Sequence, residues 1–181
     1  FGEVKQFESN YNRFRPVAFG LWKARREARV WQDLGPHLVD QVMHLFGLPI
    51  AVYADLASQK PNAPGGDYIH AVLRYPALRV ILHGGQMTPD PGPRFAVHGP
   101  KGSYVKYGLD TQEVGLKAGT RPGAPGWGAE TRPGLLTPAV GDVVGEPKTV
   151  AGEAGDYPAY YAAIAAALLE GGPNPVTPVE A

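Results

Sequence analysis

Apolar residues recur at helical spacing between residues 36 and 47 of the chain. Leu38, Val42 and Leu45 follow one another at intervals of three or four residues, which places them on one side of a helix. Pro36 suits a first helical turn, and Gly47 suits the residue that follows a last turn. The pattern predicts a helix over this range, with its apolar side packed in the core.

A second helix is predicted near the end of the chain. Asp156 suits an N-cap, Pro158 a first turn and Gly171 a C-terminal stop. An apolar stripe runs along this helix, and we expect it to lie in the core: Tyr157, Tyr161, Ile164 and Leu168.

Short segments with the character of strands occupy much of the remaining chain. They are residues 4–14, 50–56, 68–75, 78–83, 94–98 and 103–107, with 113–117 as a further candidate. Only a tight turn fits between Tyr75 and Leu78, so we expect strands that are neighbours in sequence to pair antiparallel. The order of elements predicts an α+β fold: a large, mostly antiparallel open sheet with helices packed on one face.

The two faces of this sheet are predicted to differ. In one strand Ile69, Ala71 and Leu73 alternate with the more polar His70 and Arg74. The apolar face is expected to meet the helices, and the mixed face is either solvated or an interface.

Two segments are assigned less specifically by their patterns. Residues 20–32 suit either a short amphipathic helix or a basic loop. Residues 119–155 are rich in Gly and Pro and predict a long loop. We expect that loop to be ordered, because Trp127 does not suit a solvated linker.

Both ends of the chain resemble cuts within a longer protein. Phe1 leads at once into strand-like sequence. Thr177 and Glu180 have the spacing of a capping box, which predicts the start of a further helix. We therefore expect residues 1–181 to form a single domain of a larger chain.

Composition excludes several classes of function. The formal net charge is zero and charges of both signs are interspersed, so neither nucleic acid nor an anionic membrane is predicted as a partner. The absence of cysteine excludes disulfides, thiolate metal sites and cysteine nucleophiles, and it fits the reducing cytoplasm. No apolar run approaches the roughly 20 residues of a membrane span, so we expect a soluble cytoplasmic protein.

The first predicted helix carries a polar stripe opposite its apolar side. His37, Asp40 and His44 lie at positions i, i+3 and i+7, and Asp33 precedes His37 by four residues. A histidine can take a proton from a substrate hydroxyl near neutral pH, and a neighbouring carboxylate can orient it. The alternative is that Asp33 caps the helix, His37 forms a local hydrogen bond, and Asp40 and His44 face water. Pro36 also favours a turn before it, which would leave Asp33 outside the regular helix.

Neither a metal site nor a dinucleotide site is predicted. His37 and His44 are two helical turns apart, whereas paired histidine ligands on a helix lie at i and i+4. His70 and His83 fall on strands, where isolated histidines are commonly structural. The paired glycines of the chain lack the strand-loop-helix context of a phosphate-binding loop.

Five segments, taken in order, carry a family resemblance that spans nearly the whole chain. They are Phe7–Pro16, Trp31–Gln41, Leu45–Pro49, Arg94–Ser103 and Asn174–Ala181. Together they resemble the C-terminal domain of Gfo/Idh/MocA oxidoreductases. The resemblance implies a two-domain enzyme that acts on a sugar, a polyol or a similar hydroxyl or carbonyl compound. Its N-terminal Rossmann domain, absent from this chain, would hold NAD or NADP, and this domain would supply an open sheet and one wall of the active site.

The resemblance also implies roles for individual residues. The family's Asp-x-x-x-His pattern falls on Asp33 and His37. By that analogy His37 would transfer a proton at the substrate oxygen, and Asp33 would position the substrate or tune His37. The family's catalytic lysine belongs to the absent domain. Asp40, which matches a further acidic position, is expected to be structural or to bind substrate.

Three more residues are weaker candidates for binding. Tyr11 and Arg13 are candidates to touch a polyol or a partner subunit, and Trp127 to close over the substrate or cofactor. Simple packing is the alternative for each of them. Residues 25–30 lack the glycine-rich approach of many family members, so we expect that side of the pocket to differ.

A non-catalytic function is the alternative to the enzyme. The chain would then be an interaction module whose sheet face pairs with a copy of itself. Because the sheet commonly builds oligomers in this family, a homo-oligomer through the sheet face is expected in either case.

Overall fold

The computed structural model describes residues 1–16, 30–61 and 65–180. The chain divides into two compact units. The sheet unit comprises residues 1–108 and 134–150, and the helical unit comprises residues 109–133 and 151–181.

The helices and strands follow one another in a mixed order. They are β1 (Gln6–Asn10), α1 (Val30–Phe46), β2 (Ala51–Ala57), β3 (Tyr68–Arg74), β4 (Arg79–Gly85), β5 (Phe95–Gly99), β6 (Gly102–Lys106), α2 (Gln112–Lys117), β7 (Gly134–Val140), β8 (Val143–Val144), β9 (Lys148–Val150) and α3 (Tyr157–Glu170).

The nine strands of the described chain form one open sheet, in the order β2-β3-β4-β1-β5-β6-β7-β8, and β9 also pairs with β7. Only the pair β1–β4 is parallel, which confirms the mostly antiparallel sheet. The expected pairing of sequence neighbours is wrong for β1, which lies between β4 and β5. A central place suits this strand because Phe7 and Ser9 are both buried.

α1 packs on one face of the sheet, against β3 and β4. Leu38 and Val42 on the helix are fully buried against apolar residues of the strands, among them Leu73, Val80 and Leu82. These contacts confirm the predicted burial of Leu38 and Val42. The prediction is wrong for Leu45, which is 58% exposed.

α1 extends further toward the N-terminus than Pro36, so the predicted start of the helix is wrong. The described part of the helix begins at Val30 and runs through Pro36. An internal proline is costly, but Val30 and Leu34 are buried against Ile69, and this packing holds the extra turn on the sheet. Asp33 therefore lies on the regular helix, one turn before His37. The rest of the ambiguous segment, residues 20–29, lies outside the described residues.

The segment from 119 to 155 contains strands, so the prediction of a continuous loop is wrong. β7 pairs with β6 between Leu135 and Pro138, and its edge pairs with β8 and β9. The strand was not predicted because the high glycine and proline content of the segment is typical of a loop. Gly134, for example, is a strand residue at which a side chain would overlap the ring of Tyr104.

The predicted final helix is confirmed as α3. Oδ1 of Asp156 accepts a hydrogen bond from the amide of Ala159 at 3.2 Å, and Gly171 ends the helix with φ of 69°. The predicted burial of its stripe is wrong: Tyr161 is 69% exposed and Leu168 78% exposed.

Two other predictions fall in the helical unit. Residues 113–117 were a candidate strand but belong to α2, where Lys117 pairs with Glu113 one turn away at 2.5 Å. The capping box is formed, since the amide of Thr177 donates to Oε2 of Glu180 at 2.8 Å and the amide of Glu180 donates to Oγ1 of Thr177 at 3.4 Å. No helix within the described ranges is long and apolar enough to cross a membrane.

Candidate functional site

α1 and the strand-like segment after β1 bring four of the predicted site residues together. The carboxylate of Asp33 lies 3.9 Å from the guanidinium of Arg13. That guanidinium lies 4.8 Å from the centre of the Tyr11 ring. The rings of Tyr11 and His37 have centroids 6.1 Å apart and are tilted by 33°. The four side chains therefore form one continuous cluster.

Backbone hydrogen bonds hold the strand side of this cluster in place. The amide of Tyr11 donates to the carbonyl of His83 at 2.7 Å, and that of Arg13 donates to Gly85 at 2.8 Å. Residues 11–13 thus continue alongside the end of β4. Between them, Oδ1 of Asn12 accepts a hydrogen bond from the amide of Gly85 at 3.1 Å.

Close packing holds the helix side. The amide of Val30 donates to the carbonyl of Gly66 at 2.7 Å. A Cβ atom on Gly84 would contact Cγ1 of Val30 at 3.5 Å, and one on Gly35 would lie 2.8 Å from the ring of Trp31. The first contact is an ordinary van der Waals distance, whereas the second is too short for a side chain, so Gly35 lets Trp31 cover the helix.

His37 is exposed, and within the described ranges no hydrogen bond of its side chain is found. Asp33 is partly exposed and lies inside the helix, so the alternative that it caps the helix is wrong. A solvent-facing imidazole beside an aromatic ring and a carboxylate-guanidinium pair can exchange a proton with a bound hydroxyl group.

Arg94 is a member of this cluster that the sequence reasoning missed. Its side chain is buried and lies 4.9 Å from the centre of the Tyr11 ring, on which it stacks. Nη2 donates to Oε1 of Gln41 on α1 at 3.0 Å. Arginine is rarely buried, so a sequence pattern gives no reason to place it in the interior. The available signal was its position at the start of a segment with a family resemblance.

The other predicted site residues lie elsewhere. Asp40 is exposed on α1. Trp127 belongs to the helical unit, where its indole donates to Oε1 of Gln112 at 3.0 Å, as an anchoring role requires. No group of three or more potential metal-ligating side chains occurs in the part of the chain that the structure describes.

Comparison with a family model settles the class of this domain. A model described as the oxidoreductase family, C-terminal alpha/beta domain, of Gfo/Idh/MocA proteins matches residues 1–181. The chain belongs to the Gfo/Idh/MocA oxidoreductase family.

Curated relatives agree with this membership. The Gfo/Idh/MocA domain is 48% identical over 177 residues to the uncharacterized oxidoreductase YdgJ of Escherichia coli. The aligned residues cover 97% of this chain and 51% of YdgJ. It is 38% identical over 182 residues to IolW of Bacillus subtilis, named as a scyllo-inositol 2-dehydrogenase (NADP(+)), with 98% and 51% covered. The chain thus spans about half the length of the curated relatives it matches.

Solved structures share the fold of this Gfo/Idh/MocA domain. That of yvaA from Bacillus subtilis matches with a TM-score of 0.91 and 39% identity, covering 99% of this chain and 51% of that one. An oxidoreductase from Bacillus cereus matches with a TM-score of 0.84 and 30% identity, covering 99% and 53%.

Proposed function

We propose that this chain is the substrate-side domain of an NAD(P)-dependent oxidoreductase that acts on a sugar, a polyol or a similar hydroxyl or carbonyl compound. The observation that carries the proposal is the cluster of Tyr11, Arg13, Asp33 and His37. Membership of an oxidoreductase family and the 38% identity to a relative named for inositol, itself a polyol, support it.

His37 is the proton-transfer group in this proposal. Its exposed imidazole takes the proton of a substrate hydroxyl during oxidation and returns it during reduction. Asp33, one turn earlier on α1, positions the substrate or the imidazole, and its carboxylate lies 3.9 Å from the guanidinium of Arg13.

The other members of the cluster would bind the substrate. Tyr11, whose ring contacts the guanidinium groups of Arg13 and Arg94, would offer its hydroxyl group to a sugar or polyol. Arg13 and Asp33 offer a donor and an acceptor to its hydroxyl groups. Substrate binding by Asp40 and by Trp127 stays a prediction.

The dinucleotide does not fit this chain by itself. The loop that leads from β9 into α3 contains Gly152 and Gly155 but lacks the Gly-x-Gly-x-x-Gly pattern that binds a pyrophosphate. In the proposal an N-terminal Rossmann domain of the full-length protein holds NAD or NADP, which exchanges the hydride. We assign this chain no cofactor contact.

The partners of the domain follow from the same proposal. They are the small-molecule substrate, the Rossmann domain and further copies of the protein. Tyr53, Val72 and Ile81 lie on the sheet face opposite α1, where they supply apolar surface for a homo-oligomer. The absence of cysteine supports a location in the reducing cytoplasm.

The test is turnover by the full-length protein with NAD(P)H or NAD(P)+ and a panel of sugars, polyols and small carbonyl compounds. His37→Ala should lower kcat by at least about 100-fold, the scale of general acid-base catalysis. His44→Ala, which removes an exposed histidine two turns along the same helix, is the matched control. Equal activity of both variants would contradict the role of His37, and no turnover with any compound would favour an interaction module.

A further inference from the structure

Arg94 brings a positive charge into the interior of the sheet unit. Its side chain is 7% exposed at the start of β5. Burial lowers the pKa of Arg94 to about 10, so its guanidinium stays charged at neutral pH.

The side-chain hydrogen-bond partners of Arg94 among the described residues are neutral. Nη1 donates to the hydroxyl of Ser9 at 2.6 Å and to the carbonyl of Asn10 at 3.3 Å, and Nη2 donates to the amide oxygen of Gln41 at 3.0 Å. A buried charge with no carboxylate partner is costly for folding. Departures of this kind from the rules of stability concentrate at functional sites.

Arg94 contacts both walls of the candidate site. On the strand side its guanidinium stacks on Tyr11, at 4.9 Å from the ring centre. On the helix side it binds Gln41, which lies one turn after His37 on α1. Because the guanidinium is a rigid planar fork, it fixes the separation between the Tyr11 ring and the helix that carries His37.

We propose that Arg94 is a positioning residue that holds the imidazole of His37 at its working distance from Tyr11 and from the bound substrate. This inference rests on the proposed function of His37 in proton transfer. A displacement of about 1 Å at a reacting group can cost about 100-fold in rate. Loss of the contacts that Arg94 makes with both walls of the site should therefore lower the reaction rate measurably.

The kinetic test uses Arg94→Met in the full-length protein. Methionine keeps an unbranched apolar stem but removes the charge and the fork. We expect kcat to fall by about 10- to 100-fold. KM should change by less than about threefold, because a misplaced proton-transfer group weakens the transition state more than substrate binding.

A double-mutant cycle shows whether Arg94 acts through His37. In the His37→Ala background the same substitution should lower kcat by less than about threefold, because the group that Arg94 positions is already absent. Equal losses in the two backgrounds would overturn the inference, since a general structural defect is additive.

Arg79→Met is the matched control. Arg79 also donates to neutral acceptors, the carbonyls of Tyr75 and Leu78, at the start of β4. Its loss should change kcat by less than about twofold. Activity lost in His37→Ala but kept in Arg94→Met would overturn this inference alone. Activity kept in His37→Ala would overturn the proposed function and this inference with it.

A spectroscopic measurement needs no turnover. The rings of Tyr11 and His37 are 6.1 Å apart, so in protein labelled with 13C at histidine we expect the resonance of His37 to depend on the position of the Tyr11 ring. Arg94→Met should move that resonance, while the resonance of His44 stays in place; the His37→Ala and His44→Ala variants assign the two signals. An unchanged His37 resonance in Arg94→Met would overturn the inference.

Discussion

His70 on β3 and His83 on β4 lie directly opposite each other on the sheet face that turns away from α1. Their rings are 6.0 Å apart, and Nδ1 of His83 is 2.7 Å from Oδ1 of Asn12. The ring of Tyr68 lies 5.3 Å from that of His83. Burial, and after it the neighbouring His70, lower the pKa of His83 below its ordinary value.

This lowered pKa predicts that the folded state loses stability in weak acid. The unfolded chain, with a histidine pKa of about 6.5, binds the proton more readily than the folded protein does. The stabilising contribution is therefore fully present above about pH 6.5 and is lost as the pH falls toward the lowered pKa of the folded state. Denaturation of the full-length protein across this range should show the loss, and His83→Asn should remove this part of the pH dependence.

His70→Gln tests the electrostatic part of the same effect. Removing the neighbouring charge should raise the pKa of His83, without restoring its ordinary value because burial remains. Titration followed by NMR of 13C-labelled histidine measures the pKa. His98→Gln is the control, because the His98 side chain forms its hydrogen bond with Oγ of Ser103 and not with a neighbour of His83. An unmoved titration of His83 in His70→Gln would contradict the prediction.

A second prediction concerns Asp33, whose carboxylate lies 3.9 Å from Arg13 and one helical turn before His37. Asp33→Asn keeps the size of the side chain but removes the charge. In the proposed mechanism the carboxylate positions the proton-transfer group or the substrate, so we expect kcat/KM of the full-length protein to fall by at least about tenfold. Asp142→Asn, an exposed position in the turn between β7 and β8, is the control. Similar kinetics for Asp33→Asn and Asp142→Asn would show that Asp33 has no role in the reaction.

The parts of the fold that could be predicted are those in which the local pattern of apolar and polar residues indicates the element. The apolar spacing of Leu38 and Val42 identified α1, and the alternation along β3 identified a sheet with two unlike faces. The start of α1 was misplaced because Pro36 is unfavourable locally, whereas the burial of Val30 and Leu34 against Ile69 is a tertiary effect.

The candidate site shows the same division. Asp33 and His37 could be found because they share a helix and match a family pattern. Their arrangement with Tyr11 and Arg13 depends on the pairing of residues 11–13 with the end of β4, which is remote in sequence. The burial of Arg94 could not be predicted, since its neutral partners Ser9 and Gln41 come together only when α1 packs on the sheet.

A third prediction concerns Gln112, which is 1% exposed at the centre of the helical unit. Its Oε1 accepts hydrogen bonds from the indole of Trp127 at 3.0 Å and from the amide of Tyr157 at 2.7 Å, and its Nε2 donates to Asp110. Gln112→Leu leaves both donors without their acceptor. Both hydrogen bonds are partly buried. Since a typical hydrogen bond contributes about 0.5–1.5 kcal/mol, the free energy of unfolding of this unit should fall by at least about 1 kcal/mol.

Hydrogen exchange followed by mass spectrometry locates this loss. Protection should decrease in residues 109–133 and 151–170 of Gln112→Leu and remain in the sheet unit. Glu113→Gln is the control, because Glu113 is exposed and its pair with Lys117 contributes about 0.3–0.5 kcal/mol. Unchanged exchange in Gln112→Leu would show that its hydrogen bonds do not stabilise the unit.

The last prediction concerns the sheet face that turns away from α1. Ile81 on β4 lies opposite Val72 on β3, near the middle of this face, and both side chains are only partly buried. If the face joins copies of the full-length protein, Ile81→Glu places a charge in an apolar interface, which costs several kcal/mol unless the charge is paired. We expect sedimentation to show a smaller species for this variant. Val140→Glu, at a valine that is 82% exposed on β7, should leave the assembly unchanged. An unchanged mass for Ile81→Glu would exclude this face as the interface between copies of the protein.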